Sequence, residues 1–517
     1  MFVRCKSNKS GTISVQVVSK IRKKYKVERS FGTSRTESEI IRLEEQAKQY
    51  IRMQEGFVDT LFIDRDETSL KNFVASITND GIRVIGPELI FGQLYDHIGY
   101  CQVQSEMFRH LVISRLFSPG SKLKTIDYLE RYQGISYSKY TVYRFLDRLC
   151  SKDKSKSESD IKNQVEQISF HHTKKVLKGK ISVVFYDMTT LYFEASDEDD
   201  LRKTGFSKDG KHQCPQIFLG LLVATEGNPI GYEIFEGNIF EGHTFIPVLQ
   251  EMSKRFSLDK PIVIADAGLL SDNNIALLEE GGYKYILGAR PKNVKDEIKQ
   301  KILSFSLEDG QTAAIRIEGK QRLILSMSHR RAKKDAQDRE KGLLRLQKRL
   351  KSGKLTKANI NNRGYNKYLK LEGTISISIN MDKYKADAAW DGLKAYKTNT
   401  RLSAEKIIEN YGNLWYIERA FRMNKTDLRI RPIYHHIRNR IEGHICICFT
   451  AYSILLETER MLKKYLPEIS LNRTQELVKT MYQLTYQLPN SRETHTQVLG
   501  MSQEQRKLYE AVRKWCQ

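Results

Sequence analysis

Two short apolar runs that each end on an aspartate constrain this chain more than any other feature. Val183–Tyr186 leads into Asp187, and Ile262–Ala265 leads into Asp266. Near-continuous apolar runs of this length predict buried strands. An acid closing a buried strand is disfavoured unless its charge is compensated. In mixed α/β sheets the carboxyl end of a strand opens into the ligand crevice. Two strands ending this way bring two carboxylates together, and a hard cation between them resolves their repulsion. Taken alone, each aspartate also reads as a cap, Asp187 before Met-Thr-Thr and Asp266 before Ala-Gly-Leu.

The pattern around these runs predicts a mixed α/β sheet. After the first run, residues 215–238 read as two strands joined by a turn at Glu226-Gly-Asn-Pro. A helix, the second run, another helix and the strand YKYILGAR follow. The rest divides by pattern. Residues 1–85 predict a basic hairpin and helix, and 86–178 a helical region with a possible helix-turn-helix around Gly134. Residues 179–300 form the first part of the sheet domain. Residues 301–400 form a β-rich, basic insertion. Residues 401–460 return to the core, and 461–517 predict two or three more helices. The segment 152–160 reads as a charged loop.

The charge is unevenly spread. The chain of 517 residues carries 86 Lys and Arg against 62 Asp and Glu, a net +24. Residues 1–30, 330–370 and 419–440 together hold 31 bases and 5 acids, and the remainder is nearly neutral. Singly, each patch is a solvated face; together they absorb the whole excess and predict a polyanion footprint. At 40% hydrophobic residues the chain is too apolar for disorder. The longest apolar stretch, Ile445–Leu456, is too short for a spanning helix, which needs about twenty residues. The 7 Cys are scattered without a CxxC pair, which predicts reduced thiols in a cytoplasmic protein rather than a zinc site.

A third acid lies in YGNLWYIERAFRMNKTDLRIRP. Tyr411, Leu414, Glu418 and Lys425 follow spacings of three, four and seven, which predicts one helical face. Arg419 and Arg422 flank the glutamate, and Arg429 and Arg431 follow. Read alone, such an acid is a salt-bridge partner.

Taken together, YDMTT with Asp187, IADAGLLS with Asp266 and Y-x2-L-x3-E-x6-K with Glu418 resemble the DDE transposases of bacterial insertion sequences. The resemblance is to the group with the Tyr-(2)-Arg-(3)-Glu-(6)-Lys signature, and it covers about 180–455. It implies a ribonuclease-H-like core in which Asp187, Asp266 and Glu418 are catalytic and hold two Mg²⁺, with Mn²⁺ able to substitute. It implies binding of double-stranded DNA, at the transposon ends and the target, by a homodimer in a synaptic complex. A bacterial, nucleoid-associated location is expected, with no membrane partner. Tyr411 and Lys425 would contact DNA phosphate. The signature arginine is Leu414 here, so Arg419 or Arg422 would replace it, with Arg429 and Arg431 as further DNA contacts. The rivals are a ribonuclease-H-like nuclease without strand transfer and an inactive DNA-binding derivative.

Overall fold

The computed structural model describes all residues except 22–23, 55–64, 151–160, 209, 270, 354, 357–358, 362–363, 373–375 and 489–492, so the expected loop at 152–160 lies outside the described residues. The chain forms two compact units. One comprises Met1–Ile82 with Gln483–Val498, the other Arg83–Tyr482 with Leu499–Gln517.

In the first unit, Phe2–Ser7, Ile13–Ile21 and Lys24–Ser34 form an antiparallel three-stranded sheet, packed against helix Glu37–Gln54. The expected hairpin thus gains a third strand, because two strands alone are marginally stable. Val15 and Val17 of the middle strand are fully buried with Ala47 of the helix. The carboxyl-terminal region departs from its all-helical expectation. Tyr482–Gln487 pairs antiparallel with Thr494–Val498. The period-two alternation of Tyr482, Leu484 and Tyr486 is a strand pattern.

The second unit is built on an eight-stranded sheet. Its strands are β1 (Val183–Tyr192), β2 (Gln216–Ala224), β3 (Pro229–Glu236), β4 (Ile262–Ala265), β5 (Lys284–Ala289), β6 (Thr312–Arg316), β7 (Arg322–Met327) and β8 (Leu393–Thr398). The spatial order is β6-β7-β8-β5-β4-β1-β2-β3. β1, β2 and β3 form the predicted antiparallel meander, and β4 lies parallel between β1 and β5. The parallel strands are joined through helices, as their geometry demands. The region 301–400 is not wholly separate from this sheet. β8 pairs antiparallel with β5, and β7 and β6 continue outward from it. Leu323, Ile324 and Leu325 of β7 are all buried, so both faces of that strand are covered. Among the described residues of this region, only Leu369–Glu372 and Ser376–Ile379 pair apart, as a two-stranded ladder.

The principal helices of this unit are α1 (Glu106–Phe117), α2 (Lys122–Tyr128), α3 (Lys139–Leu149), α4 (Ile161–Val176), α5 (Phe245–Phe256), α6 (Asp272–Glu280), α7 (His329–Lys351), α8 (Ala404–Gly412), α9 (Trp415–Thr426) and α10 (Arg438–Tyr465). α10 has 28 residues, so it is about 42 Å long. It contains the Ile445–Leu456 run and is buried from Ile441 to Thr458. A helix apolar on every side needs neighbours all round, and α1, α3, α4 and α9 supply them. No described helix is long and apolar enough to cross a membrane.

Near its end α10 carries a buried acid. Glu457 accepts hydrogen bonds from His172 Nε2 at 2.9 Å and Trp515 Nε1 at 2.8 Å, and pairs with Arg460. Burial alone would raise its carboxyl, but the His172 hydrogen bond and the Arg460 charge hold it down at about 2. A depressed carboxyl stabilises the fold above its unfolded value and loses that contribution as pH falls through the folded one. Glu457→Gln is therefore expected to lower stability by about 2 kcal/mol at pH 6. In paired thermal melts, the gap between wild type and variant should shrink as pH falls from 4.5 toward about 2. A gap that widens on acidification is the contrary result.

Candidate active site

Asp187 lies in the middle of β1, not at its end, which corrects the expectation from the apolar run. β1 continues to Tyr192 because Met188–Tyr192 keep pairing with β2. On its other side β1 pairs with β4 only over Val183–Phe185, opposite Ile262–Ile264. Carried on by two residues, that parallel register sets Asp187 level with Asp266, which directly follows β4. Adjacent strands lie about 4.8 Å apart, so the two carboxylates are neighbours at the point where β4 leaves the sheet.

Both aspartates also make the local contacts of a cap. Asp187 Oδ1 accepts from Met188 N at 2.7 Å, and Asp266 Oδ1 from Gly268 N at 2.7 Å. Burial pushes the Asp187 carboxyl up to about 6. Lys208 and the Met188 N–H oppose the rise, and the charges of Asp266 and Glu241 add to it.

The sequence pattern does not single out Lys208 or Glu241. Lys208 Nζ donates to Met188 O at 2.7 Å, and lies 3.6 Å from Asp187 Oδ1 and 3.0 Å from Glu241 Oε1. An ammonium group thus stands among the acids, and those acids raise its own titration further. No sequence signal links residues 21 and 54 positions away from Asp187; the meander brings them together.

The predicted single helical face from Tyr411 to Lys425 is corrected. α8 ends at Gly412 and α9 begins at Trp415, with Leu414 N bonded to Tyr411 O across the break. Gly412 and Asn413 are poor helix formers, which favours the interruption there. Tyr411 turns toward the sheet instead. Its hydroxyl fits over Gly288 of β5, where a Cβ would lie 2.4 Å from Oη. Burial and then the charges of Asp266, Glu418 and Asp187, with Tyr396 beside it, push the Tyr411 phenol up to about 12. All three predicted acids act on this one hydroxyl.

Glu418 sits in the first turn of α9 and is exposed. Arg419 pairs with Glu459 and stacks on Trp415, so it does not serve as the glutamate's salt-bridge partner. Glu418 and Lys425, seven apart, share one face of α9. Arg422 and Arg429 are exposed, and Arg429 has φ +45°. Arg431 lies over the Tyr192 ring, 5.6 Å from its centroid. The 419–440 patch is thus partly neutralised, since Arg438 and Arg440 pair with Glu442 and Asp147.

The donor set is hard oxygen, which suits Mg²⁺. The Lys208 ammonium places one positive charge 3.6 Å from Asp187 Oδ1. The acids do not form a closed cage: among the described residues no three His, Cys, Asp or Glu side chains meet closely enough to hold an ion alone. Mg²⁺ commonly keeps several waters and takes substrate phosphate oxygens as well. The residues therefore fit an ion that arrives with its substrate.

Residues 178–454 match the family described as Transposase DDE domain. This match spans more than half of the chain, which belongs to that family. No curated protein matches it. Among solved structures, a piggyBac transposase synaptic complex with hairpin DNA is 11% identical, with 80% of this chain and 79% of that chain covered and a TM-score of 0.40. A Mos1 transposase paired-end complex with the left transposon end is 12% identical, with 35% and 58% covered and a TM-score of 0.16. The chain is a DNA transposase with a mixed α/β core.

The elevated Asp187 carboxyl means the native state binds a proton more readily than the unfolded chain between pH 3.8 and about 6. Above that window its buried charge costs on the order of 2 kcal/mol. Asp187→Asn should accordingly raise the melting temperature at pH 8 in EDTA, and lose that advantage by pH 4. An unchanged or lower melting temperature at pH 8 would count against the strained carboxylate.

Proposed function

We propose that this transposase binds the terminal inverted repeats of an insertion sequence, cleaves the DNA ends and joins the freed 3′-OH to target DNA. The observation that supports this best is the parallel register that sets Asp187 level with Asp266, with the Tyr411 hydroxyl over Gly288 of the next strand. Carboxylates gathered against their own repulsion are suited to chemistry on a metal-bound phosphate.

Asp187, Asp266 and Glu418 would hold two Mg²⁺, which supply an activated nucleophile and stabilise the leaving oxygen. In the first reaction, water attacks the phosphorus at the transposon end and the bond to the 3′ oxygen breaks. That leaves a 3′-OH on the transposon and a 5′-phosphate on the flank. In the second, the 3′-OH attacks a target phosphorus and expels the target's 3′ oxygen. Tyr411 donates from its neutral hydroxyl to a phosphate oxygen, and Lys425 adds charge from the Glu418 face. Lys208 holds Asp187 in place through its contacts with Met188 O and Glu241. A cleft of about 730 Å³ extends from Ala267, Gly288 and Tyr411 past Arg290 and Lys394, and is lined by acids as well as bases, with Lys292 paired to Asp387 and Arg331 to Asp335. Because both ends are processed together, two copies act in one synaptic complex, in the bacterial cytoplasm.

Labelled end DNA with Mg²⁺ tests the reading. Wild type should give nicked ends and joined strand-transfer products. Asp187→Ala, Asp266→Ala and Glu418→Ala should each lose at least about a thousandfold in rate while still binding DNA. Cleavage without joined product would favour the plain nuclease, and activity that survives all three substitutions would remove the acids from the mechanism. DNA affinity should also fall by about 0.9 log unit per log unit of salt for each phosphate neutralised. A slope near zero would remove the polyanion footprint.

A further inference from the structure

A second cavity, of about 570 Å³, is lined by basic groups without one carboxylate. It lies between the start of α2, the end of α1 and the segment that leads from α9 into α10. Arg115, Lys122, Arg429, Arg431, His435 and His444 surround it. Arg115 and Lys122 are each only 4% exposed. Arg115 is held by neutral partners, with Leu428 O at 3.4 Å and His444 Nδ1 at 3.3 Å. His444 Nε2 lies 3.0 Å from Ile430 O, which makes Nε2 the donor and leaves Nδ1 to accept from Arg115. Lys122 makes no ion pair among the described residues. Burial and the Arg115 charge push its ammonium down to about 7, and burial with the charges of Lys122, Arg440 and Arg115 pushes His435 to about 3. The nearby acids are engaged elsewhere, Asp147 with Arg440 and Glu442 with Arg438.

Two buried cations and two imidazoles facing a roomy cavity with no anion are an arrangement that a fold does not keep for stability. The missing partner is a negative group. A guanidinium fork and an ammonium converging from different elements suit the several oxygens of a phosphate. Tyr143 and Tyr434 also line the cavity, and Tyr434 is 61% exposed at its mouth. Such rings can stack against a sugar or base attached to the phosphate.

We propose that this cavity is a phosphate-binding site, distinct from the three-carboxylate centre, formed by Arg115 and Lys122 within and Arg429 and Arg431 at the entrance. Its phosphate is either a backbone group of the bound DNA, which rests on the transposase reading, or a free phosphate or mononucleotide.

The test uses the full chain, with inorganic phosphate and a duplex oligonucleotide as separate probes. Thermal melts compare phosphate with chloride at equal ionic strength. Phosphate should raise the melting temperature of wild type by several degrees. Lys122→Met should abolish that shift and Lys122→Arg should retain it. If DNA fills the site, Lys122→Met also weakens duplex binding about tenfold and reduces the salt slope by about one phosphate's worth. If the occupant is free phosphate, the thermal shift disappears while duplex affinity stays at the wild-type value. Arg429→Gln, at an exposed position, repeats both arms without altering the interior. Equal behaviour of wild type and the charge-removing variants in both arms overturns the proposal. Absence of any duplex binding by wild type would overturn the transposase reading instead, and the phosphate arm would still decide the cavity.

Discussion

A carboxylate in the interior of a buried strand, beside a second carboxylate at the same level of the next strand, is the constraint on which the site depends. Asp187 cannot leave β1, because residues on both sides of it are paired in the sheet. Asp266 cannot move far, because it closes the turn after β4 through Gly268 N. Their repulsion is therefore built into the backbone. The chain answers it locally with the Lys208 ammonium, anchored on Met188 O and Glu241.

Holding that geometry requires a stiff support. The sheet supplies it from one side, and α10 from the other. α9, which carries Glu418, packs against both β1 and α10. α10 is anchored in turn by Glu457, whose carboxylate is shared by His172, Arg460 and Trp515. Tyr411 reaches the acids only because Gly288 leaves room above β5. A larger residue there would displace the Tyr411 hydroxyl.

Much of the core was legible before the fold was known. Apolar runs of four residues and the alternating period of Ile13–Val17 announced strands directly. The meander followed by parallel strands came from the order of those signals. Other parts were hidden for physical reasons. Asp187 looked like a strand end because apolar patterning stops there, yet the polar Thr189 and Thr190 remain buried in the ladder. The break at Gly412–Asn413 was masked by a spacing that an unbroken helix would also give. β8 reads as an ordinary half-polar segment, Leu393–Thr398, and is placed by pairing with β5 and β7. The basic cavity was invisible because Arg115 and Lys122 lie more than 300 residues from Arg429 and Arg431.

The sequence by itself determined the chemistry available to this protein: three acids in recognisable motifs, an excess of positive charge in three segments, and a family resemblance carried by their order. Those features are local, since residue type and short-range periodicity encode them. Only the tertiary structure decided which groups meet. The parallel register of β1 and β4 set Asp187 level with Asp266, the α8–α9 break turned Tyr411 onto the sheet, and the packing around α10 enclosed Arg115 and Lys122 without an acid. Contacts across tens or hundreds of residues depend on how whole elements pack, and no short-range pattern records them.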